Sequence, residues 1–396
     1  MTKSIISPAT TATCPACGIL CDDIDINQLN TNTCAKSVAF FIQKTVEATP
    51  QIAGKAVTLA QAIAKAAEIL SKSKQPLLSG LSTDVTGFRA IFDLTQKTNG
   101  SLKHFNASSL QRNLNVLQST GWQTTTLTEV KNRADVIVCI GTDVVSHNPR
   151  FLERNLDCDG MFIEAKNRQL IFVGNAPNKD DIKSDALKAS WVLPCKADDL
   201  PSATGALRAL VQNKPLKTPG IGDISLSDLT TLADKLKEAK YAVLVWIAKD
   251  LDFKFAELTI QNITQTVVAL NETTRAGGLA LGGSDGDTSA NYANTWLSGY
   301  ALNDADAAHD AVVYINSFSP SKAVPKTDLP LIVLGNGNLQ FAEQIPDVFI
   351  PVATPGLDCS GTLFRVDSSV VLPLKKVREN GLTTLADVAK QIEALL

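Results

Sequence analysis

The residues best suited to chemistry are four cysteines near the start of the chain: Cys14, Cys17, Cys21 and Cys34. They make up half of the 8 cysteines of the chain and all lie within its first 34 residues. Three thiols within eight residues can converge on one small object, and a fourth, thirteen residues further on, can close the site. Four cysteine thiolates are the usual ligands of an iron–sulfur cluster. The pattern of a triplet plus one therefore favours such a cluster.

Two other interpretations of these cysteines stay open. Zinc is also bound by four cysteines, but usually by two separated Cys-x-x-Cys pairs. A vestigial site without metal would keep the same spacing. Disulfides are less favoured, because residues 1–13 contain no apolar run with a cleavage site of the secretory type. We expect a reducing cytoplasm, where clustered cysteines bind metals or act in catalysis more often than they form bridges.

The composition argues against several classes of function. The 396 residues carry 37 Lys and Arg against 40 Asp and Glu, without a basic run, so nucleic-acid binding has no electrostatic support. The chain has no run of about 18 apolar residues, so no membrane span is predicted. The three histidines, His104, His147 and His309, are far apart, which makes a histidine-rich metallohydrolase site within this chain unexpected. No P-loop motif occurs.

Three glycine-containing motifs allow weaker interpretations. Gly141-Thr-Asp143 and Gly335-Asn-Gly-Asn338 follow apolar runs, where glycine lets a backbone approach a phosphate, but ordinary turns use the same residues. Gly282-Gly-Ser-Asp-Gly286 fits the nucleophile elbow of α/β-hydrolases, with His309 downstream. A serine hydrolase is nevertheless not expected, because the preceding stretch from Ala276 to Ala280 is broken by glycines and predicts no clear strand.

The elements that must position these residues alternate between helix and strand. Periodicity predicts a helix over Thr58–Leu70, with Thr58 and Gln61 as a capping box, and a final helix over Thr384–Leu396. Short apolar runs predict buried parallel strands, and the alternation implies an α/β fold of doubly wound, mostly parallel sheets with ligand loops at the carboxyl ends of strands. The predicted strands are Pro76–Ser79, Val136–Ile140, Leu170–Val173, Trp191–Leu193, Val243–Ile247, Val312–Ile315, Leu331–Leu334 and Val348–Ile350.

The sequence also suggests a division into three regions. Residues 1–50 are predicted to form a small cysteine-rich subdomain of the iron–sulfur type. Residues 51–220 would form a first α/β domain and residues 221–396 a second α/β region. The boundary near residue 220 rests on the stretch Gln212–Ser225, which is rich in proline and glycine.

Several motifs resemble the B subunit of formylmethanofuran dehydrogenase, a member of the molybdopterin oxidoreductases. Cys14-Pro-Ala-Cys-Gly-Ile-Leu-Cys-Asp-Asp23 is similar to the N-terminal signature of that family. The resemblance continues in order through most of the chain. Its further segments are Thr126–Val138, Gly141–Arg150, Pro346–Thr354 and the Gly-Thr-x-x-Arg-x-Asp stretch Gly361–Asp367.

The resemblance implies a 4Fe-4S cluster on Cys14, Cys17, Cys21 and Cys34. It also implies a metal-binding cysteine in the region of residues 105–113, but Ser108 or Ser109 stands in its place, and no cysteine occurs between Cys34 and Cys139. We therefore expect molybdopterin and tungstopterin to be absent. An alternative is a redox subunit of the dehydrogenase type in which Ser108 or Ser109, or no protein group, binds the metal.

The loss of the thiolate points to the bacterial relative, the B subunit of the formyltransferase/hydrolase complex of methylotrophs. The resemblance then implies a structural, non-redox role in tetrahydromethanopterin-linked one-carbon metabolism, in which a formyl group passes to a furan-type carrier and is released as formate. The expected partners are a zinc amidohydrolase-like subunit, a formyltransferase subunit, together with one further small subunit. No residue of this chain is expected to be catalytic.

Overall fold

The computed structural model describes residues 11–44, 47–180, 183–302 and 308–396. The strands, in chain order, are β1 Thr11–Ala12, β2 Ile24–Asp25, β3 Gln51–Ile52, β4 Lys55–Ala56, β5 Leu77–Ser82, β6 Ser101–His104, β7 Val136–Ile140, β8 Gln169–Val173, β9 Trp191–Leu193, β10 Gly220–Ile221, β11 Ile224–Ser225, β12 Ala242–Trp246, β13 Ala276–Ala280, β14 Val312–Asn316, β15 Leu331–Gly335, β16 Val348–Pro351, β17 Gly361–Phe364 and β18 Val371–Leu374. The helices are α1 Ala35–Phe41, α2 Leu59–Lys72, α3 Val85–Thr98, α4 Ala107–Thr120, α5 Leu127–Arg133, α6 Val144–His147, α7 Phe151–Asn155, α8 Asp185–Lys188, α9 Leu200–Val211, α10 Leu226–Glu238, α11 Ala256–Leu270, α12 Asp287–Ser298 and α13 Leu385–Glu393.

Two compact units divide the described chain, and neither is continuous in sequence. Unit 1 takes its residues from Met1–Ala107, Gly283–Arg365 and Val370–Leu396, and unit 2 from Ser108–Gly282 and Val366–Ser369. This division differs from the predicted regions 51–220 and 221–396. The reason is that the chain leaves the sheet of unit 1 after β6, builds unit 2, and then returns with β14 to continue the first sheet.

Unit 1 is built on a sheet with the strand order β4-β3-β16-β15-β14-β5-β6. Its strands from β16 to β6 run parallel, and β3 pairs antiparallel with β16. Both faces are apolar: Val313 and Ile315 of β14 face one core, whereas Val312 and Tyr314 face another. Residues that alternate between two buried faces explain why these strands are apolar throughout.

Unit 2 holds a wholly parallel sheet in the order β13-β12-β7-β8-β9. Helices α9, α10 and α11 contribute Leu207, Leu232 and Ile260 to its core. The strand order reverses between β7 and β12 here, and between β5 and β14 in unit 1. Ligands of doubly wound sheets bind at such switch points, beyond the carboxyl ends of the strands. The α/β class with mostly parallel sheets is therefore confirmed.

The predicted helices and strands agree with the structure where the prediction rested on a helix cap or on an apolar run. Helix α2 begins after Thr58, whose hydroxyl accepts the Gln61 N–H at 3.3 Å while the Gln61 side chain accepts the Thr58 N–H at 3.0 Å. Strand β7 has the predicted bounds. The final helix α13 is shorter than predicted and ends at Glu393. Among the described residues, no helix is long and apolar enough to cross a membrane.

The prediction that Ala276–Ala280 forms no clear strand is wrong. This stretch is β13, which pairs in parallel with β12 from Ala276 to Ala280. Its glycines leave room for neighbours rather than interrupting the ladder. A Cβ atom at Gly277 would lie 2.6 Å from the Thr125 side chain, and one at Gly278 would lie 3.0 Å from the Trp246 ring.

Candidate functional site

The cysteine triplet lies in a tight loop between β1 and β2. Cys14, Cys17 and Cys21 are buried, and Cys34 is half-buried at the N-terminus of α1. The loop is closed by the backbone, because the Cys14 N–H donates to the Cys21 carbonyl at 2.8 Å. Leu20 adopts a left-handed backbone conformation with φ of 52° and completes the reversal. The sequence spacing thus becomes a compact turn of three buried thiols.

The Cys14 thiol of this loop is protonated at neutral pH in the metal-free chain. Burial raises the pKa of Cys14 to about 12, and the nearby Cys17 and Cys34 thiols raise it further, against a hydrogen bond with Ser37 that lowers it. A metal would have to displace such protons. Within the described ranges, no three Cys, His, Asp or Glu side chains are arranged as a metal site. The donors suit a cluster in chemistry but not in arrangement, so the four ligands stay a prediction.

Contacts with the rest of unit 1 hold the cysteine segment, residues 11–44, in place. Arg378 pairs with Asp358 at 2.6 Å and also donates to the carbonyl of Gln43. The Gln43 side chain accepts from Asn336 Nδ2 at 3.0 Å, and the same amide donates to Thr354 Oγ1 at 2.9 Å. Apolar packing adds to these contacts, because one core cluster joins Leu20 and Phe40 to Phe318 and Leu357. The segment is accordingly grouped with unit 1 rather than as a separate compact unit.

A buried polar cluster lies near the switch point of unit 1; we call it the His104 cluster and define it by His104, Asn106, Ser284, Asp285, Asp287 and Lys322. The Nε2 atom of His104 is 3.2 Å from the Asp285 carbonyl, and Nδ1 accepts the Asn106 N–H at 3.0 Å. One ring nitrogen therefore donates and the other accepts, as in a neutral imidazole. Burial lowers the pKa of His104, against the charge of Asp287, which raises it.

Both carboxylates of the His104 cluster accept hydrogen bonds or form ion pairs within the protein. Asp287 accepts the Asn106 amide at 2.8 Å and the Ser284 N–H at 3.2 Å. Asp285 pairs with Lys322 Nζ at 3.2 Å and accepts the Ser319 hydroxyl. These contacts fix the loop that begins α12.

The contacts of Ser284 do not resemble those of a hydrolase nucleophile. Its hydroxyl accepts the Asn106 amide at 3.1 Å, and an amide cannot take up a proton. The non-glycine residue of this turn with a left-handed backbone is Asp285, with φ of 56°, whereas an elbow places the strain on the serine. The geometry therefore gives the Gly-x-Ser-x-Gly match no chemical support.

Unpartnered hydroxyls also mark the switch point of unit 1. Ser82 ends β5, Thr83 follows it, and Ser317 follows β14; their hydroxyls are buried without a hydrogen-bond partner among the described residues. A small pocket of about 10 Å³ lies between the cysteine loop and the loop before α12. Its walls include Cys17, Gly18, Ser284, Asp287, Ser289 and Phe364.

Unit 2 carries a second polar cluster at its own switch point. The Nε2 atom of His147 lies 2.6 Å from Asp250 Oδ1, and Thr142 Oγ1 donates to Asp250 Oδ2 at 2.5 Å. Burial raises the pKa of Asp250, but hydrogen bonds from His147 and Thr142 outweigh it, so the pKa lies below its ordinary value of 3.8. The side-chain amide of Asn148 accepts the Gly282 N–H and donates to the Gly282 carbonyl, and so fixes the end of this unit.

We expect Asp250 to make unit 2 sensitive to acid. A carboxyl whose pKa is lowered by folding contributes stability that is present above its ordinary pKa and lost as the pH falls through the folded value. Asp250→Asn should therefore lower the free energy of unfolding at pH 7 by about 1–3 kcal/mol, as for hydrogen bonds to a charged group. The difference from the natural chain should shrink between pH 5 and pH 3. Urea titrations of both proteins at pH 5 and at pH 3 measure this difference. A difference in the free energy of unfolding that does not depend on pH would contradict the lowered pKa of Asp250.

The predicted serine positions lie on a different element from the cysteines. Ser108 is exposed and Ser109 half-buried, both in the first turn of α4 in unit 2. The cysteines belong to unit 1. His309, the distant histidine of the hydrolase motif, has an Nδ1 atom that is buried without a partner among the described residues.

Sequence reasoning missed both polar clusters. His104 and Asp285 are 181 residues apart, and His147 and Asp250 are 103 apart, so no local motif links them. The available signal was positional: His104 ends β6, Thr142 follows β7, and Asp250 follows β12. Polar residues directly after apolar runs are the ones that parallel strands bring together at one edge of a sheet.

Comparison with known proteins confirms the family resemblance. No family model matches the chain. It is 25% identical over 425 residues to the B subunit of the tungsten-containing formylmethanofuran dehydrogenase 2 of Methanococcus maripaludis, covering 96% of each chain. It is 25% identical over 354 residues to the B subunit of the formyltransferase/hydrolase complex Fhc of Methylorubrum extorquens, covering 81% of this chain and 89% of the relative. A crystal structure of the FhcABCD complex of Methylorubrum extorquens with methylofuran contains a chain that superposes with a TM-score of 0.72 and 23% identity, over 87% of this chain and 98% of that one.

Proposed function

We propose that this chain is the B subunit of a cytoplasmic formyltransferase/hydrolase complex and has a structural, non-redox role in it. In this complex a formyl group passes from tetrahydromethanopterin to a furan-type carrier and is hydrolysed to formate. The observation that carries the proposal is the similarity to the Fhc B subunit along most of both chains, combined with serine at the position of the metal thiolate. The frame is of the molybdopterin oxidoreductase type.

The geometry supports a role without chemistry. Ser284 has an amide beside its hydroxyl, and His104 has both ring nitrogens engaged by the backbone. Asp285 pairs with Lys322, and Asp287 accepts the Ser284 N–H and the Asn106 amide. Groups fixed in this way hold loops in place, because their hydrogen-bonding atoms are occupied by the protein itself. The α/β frame then supplies surfaces to the catalytic subunits.

A second candidate is the redox-active B subunit of a formylmethanofuran dehydrogenase, which would carry a cluster and a molybdo- or tungstopterin. The observation in its favour is the equal identity to the tungsten-containing relative, at 25%. The exposed position of Ser108 disfavours it, because a metal ligand needs a dry and shaped surrounding.

Co-expression with the cognate zinc amidohydrolase-like and formyltransferase subunits tests the proposal. We expect the chain to co-purify with both, and formyl-carrier hydrolysis to be lost when it is omitted. The isolated chain should neither transfer nor hydrolyse the formyl group, and elemental analysis should find no molybdenum or tungsten. One equivalent of either metal would favour the dehydrogenase. Turnover by the isolated chain that is lost on Ser284→Ala would favour a hydrolase.

A further inference from the structure

The first two cysteines form a Cys-x-x-Cys motif that the proposed function leaves without a role. Pro15 and Ala16 separate Cys14 from Cys17. In α/β proteins this spacing is typical of a redox dithiol, that is, of two thiols that convert reversibly to a disulfide. Both thiols are buried in the loop between β1 and β2, so only an oxidant that can enter this loop reaches them.

The sulfur atoms of Cys14 and Cys17 are neighbours within that loop. The Cys14 sulfur interacts with the thiols of Cys17 and Cys34, and it lies within hydrogen-bonding reach of the Ala16 N–H and of Ser37. The Ala16 contact shows that the chain between the two cysteines folds back towards the first of them. Because both thiols share one folded loop, they can join through rotation of their side chains and adjustment of this loop alone.

The two thiols differ in their access to the small pocket between the cysteine loop and the loop before α12. Among the four cysteines, Cys17 is the one that lines this pocket. The volume of about 10 Å³ has room for a molecule the size of water or hydrogen peroxide, but not for a larger oxidant such as a glutathione-type disulfide. Ser284 and Ser289 also line it, so a polar occupant meets hydroxyl groups there. A small peroxide therefore meets Cys17 before Cys14.

We propose that Cys14 and Cys17 form a peroxide-sensitive dithiol switch, in which Cys17 reacts with the peroxide and Cys14 resolves the product. The Cys17 thiolate attacks one oxygen atom of hydrogen peroxide. An S–O bond forms, the O–O bond breaks, and the departing hydroxide takes up a proton to become water. The Cys14 sulfur then attacks the Cys17 sulfur, so that an S–S bond forms, the S–O bond breaks, and the second oxygen leaves as water with the Cys14 proton. Two thiols are oxidised, and one peroxide is reduced to two molecules of water.

The switch changes what the cysteine loop can bind. A disulfide between Cys14 and Cys17 removes two of the four thiolates that a cluster would need, so the oxidised loop and a bound cluster exclude each other. Formation of the disulfide also keeps Cys17 on the reversible part of the oxidation pathway, because a sulfenic acid that has condensed with a thiol is not oxidised further to a sulfinic acid. This inference goes beyond the proposed function and does not depend on it, since the reaction is a property of the chain by itself.

The test exposes the full chain, reduced and freed of metal by a chelator, to hydrogen peroxide and maps its cysteines by mass spectrometry. We expect the natural chain to lose two of its 8 thiols to one Cys14–Cys17 disulfide and to regain both on treatment with a small thiol. Cys14→Ser should instead stop at a Cys17 sulfenic acid, which a dimedone-type reagent captures. Cys17→Ser should leave Cys14 reduced at the same exposure. Cys359→Ser is the control: Cys359 is a half-buried thiol of unit 1 outside the cysteine segment, so this variant should still form the disulfide.

A Cys17 that stays reduced in the natural chain would overturn the inference. A disulfide that joins Cys17 to Cys21 or Cys34 would overturn it as well, because Cys14 would then not be the resolving thiol. Both results are obtained on the natural chain, so they do not depend on the folding of a variant. Failure of the chain to bind the cognate subunits would refute the proposed function and leave the oxidation result as it stands.

Discussion

Protein purified without oxygen is expected to contain iron and sulfide, and Cys17→Ser is expected to lose both. The motive is the four-cysteine set, of which three members share one buried loop. Cys17 is the most informative member because it also lines the small pocket beside the loop before α12. Binding must expel the protons of buried thiols such as Cys14, with its pKa of about 12, so reconstitution should improve as the pH rises.

Visible charge-transfer absorbance, together with iron and sulfide analysis, measures the outcome. Cys195→Ser is the control, because Cys195 is a half-buried thiol in unit 2 that is not one of the four predicted ligands, and this variant should keep its iron. Stoichiometric zinc in the natural chain, or a protein without metal after anaerobic reconstitution, would refute the cluster. The latter result would identify the cysteine loop as a structural turn held by its own backbone.

Arg378→Ala should lower the free energy of unfolding by about 3–5 kcal/mol, the usual cost of removing one partner from a buried ion pair. The side chains of Arg378 and Asp358 are only 13% and 3% exposed. The variant leaves the Asp358 carboxylate buried without its cation, and it also removes the bond to the Gln43 carbonyl. The cysteine segment should therefore become sensitive to proteases before the rest of the chain.

Urea titration followed by circular dichroism, with timed proteolysis at the N-terminal segment, checks this expectation. Lys65→Ala is the control, because the pair of Lys65 with Glu68 is exposed on α2 and should leave the titration almost unchanged. A Lys65→Ala variant that loses as much stability as Arg378→Ala would show that the buried pair has no special role.

The predictable parts of the fold are those in which the residues that determine an element lie within that element or next to it in the sequence. Val136–Ile140 is apolar because both faces of its sheet are covered, and Thr58 caps α2 with a partner only three residues away. β13 was missed because its glycines make room for the side chains of Thr125 and Trp246. These two residues are distant in sequence, so the local pattern of β13 does not reveal why glycine is needed. The boundary between units was missed because the chain leaves and rejoins one sheet, and sequence composition does not record such a return.

The candidate site was predictable only where its residues are neighbours in sequence. The cysteine triplet could be recognised from spacing, and its loop is indeed compact. The His104 cluster depends on contacts across 181 residues, and its members have no common motif. Arg378 contacts Gln43 across 335 residues, so the anchor of the cysteine segment was likewise invisible.

The discontinuity of unit 1 has a consequence for synthesis of the protein. Strand β5 pairs along its length with β14, and Leu77 lies opposite Val312. While the chain emerges from the ribosome, β5 must wait for more than half of the polypeptide before its second neighbour, β14, exists. Unit 2, which is nearly complete at Gly282, can condense first. The cysteine loop is translated before unit 2 but is secured only after Asp358 and Arg378 have been made, which follow unit 2 in the sequence.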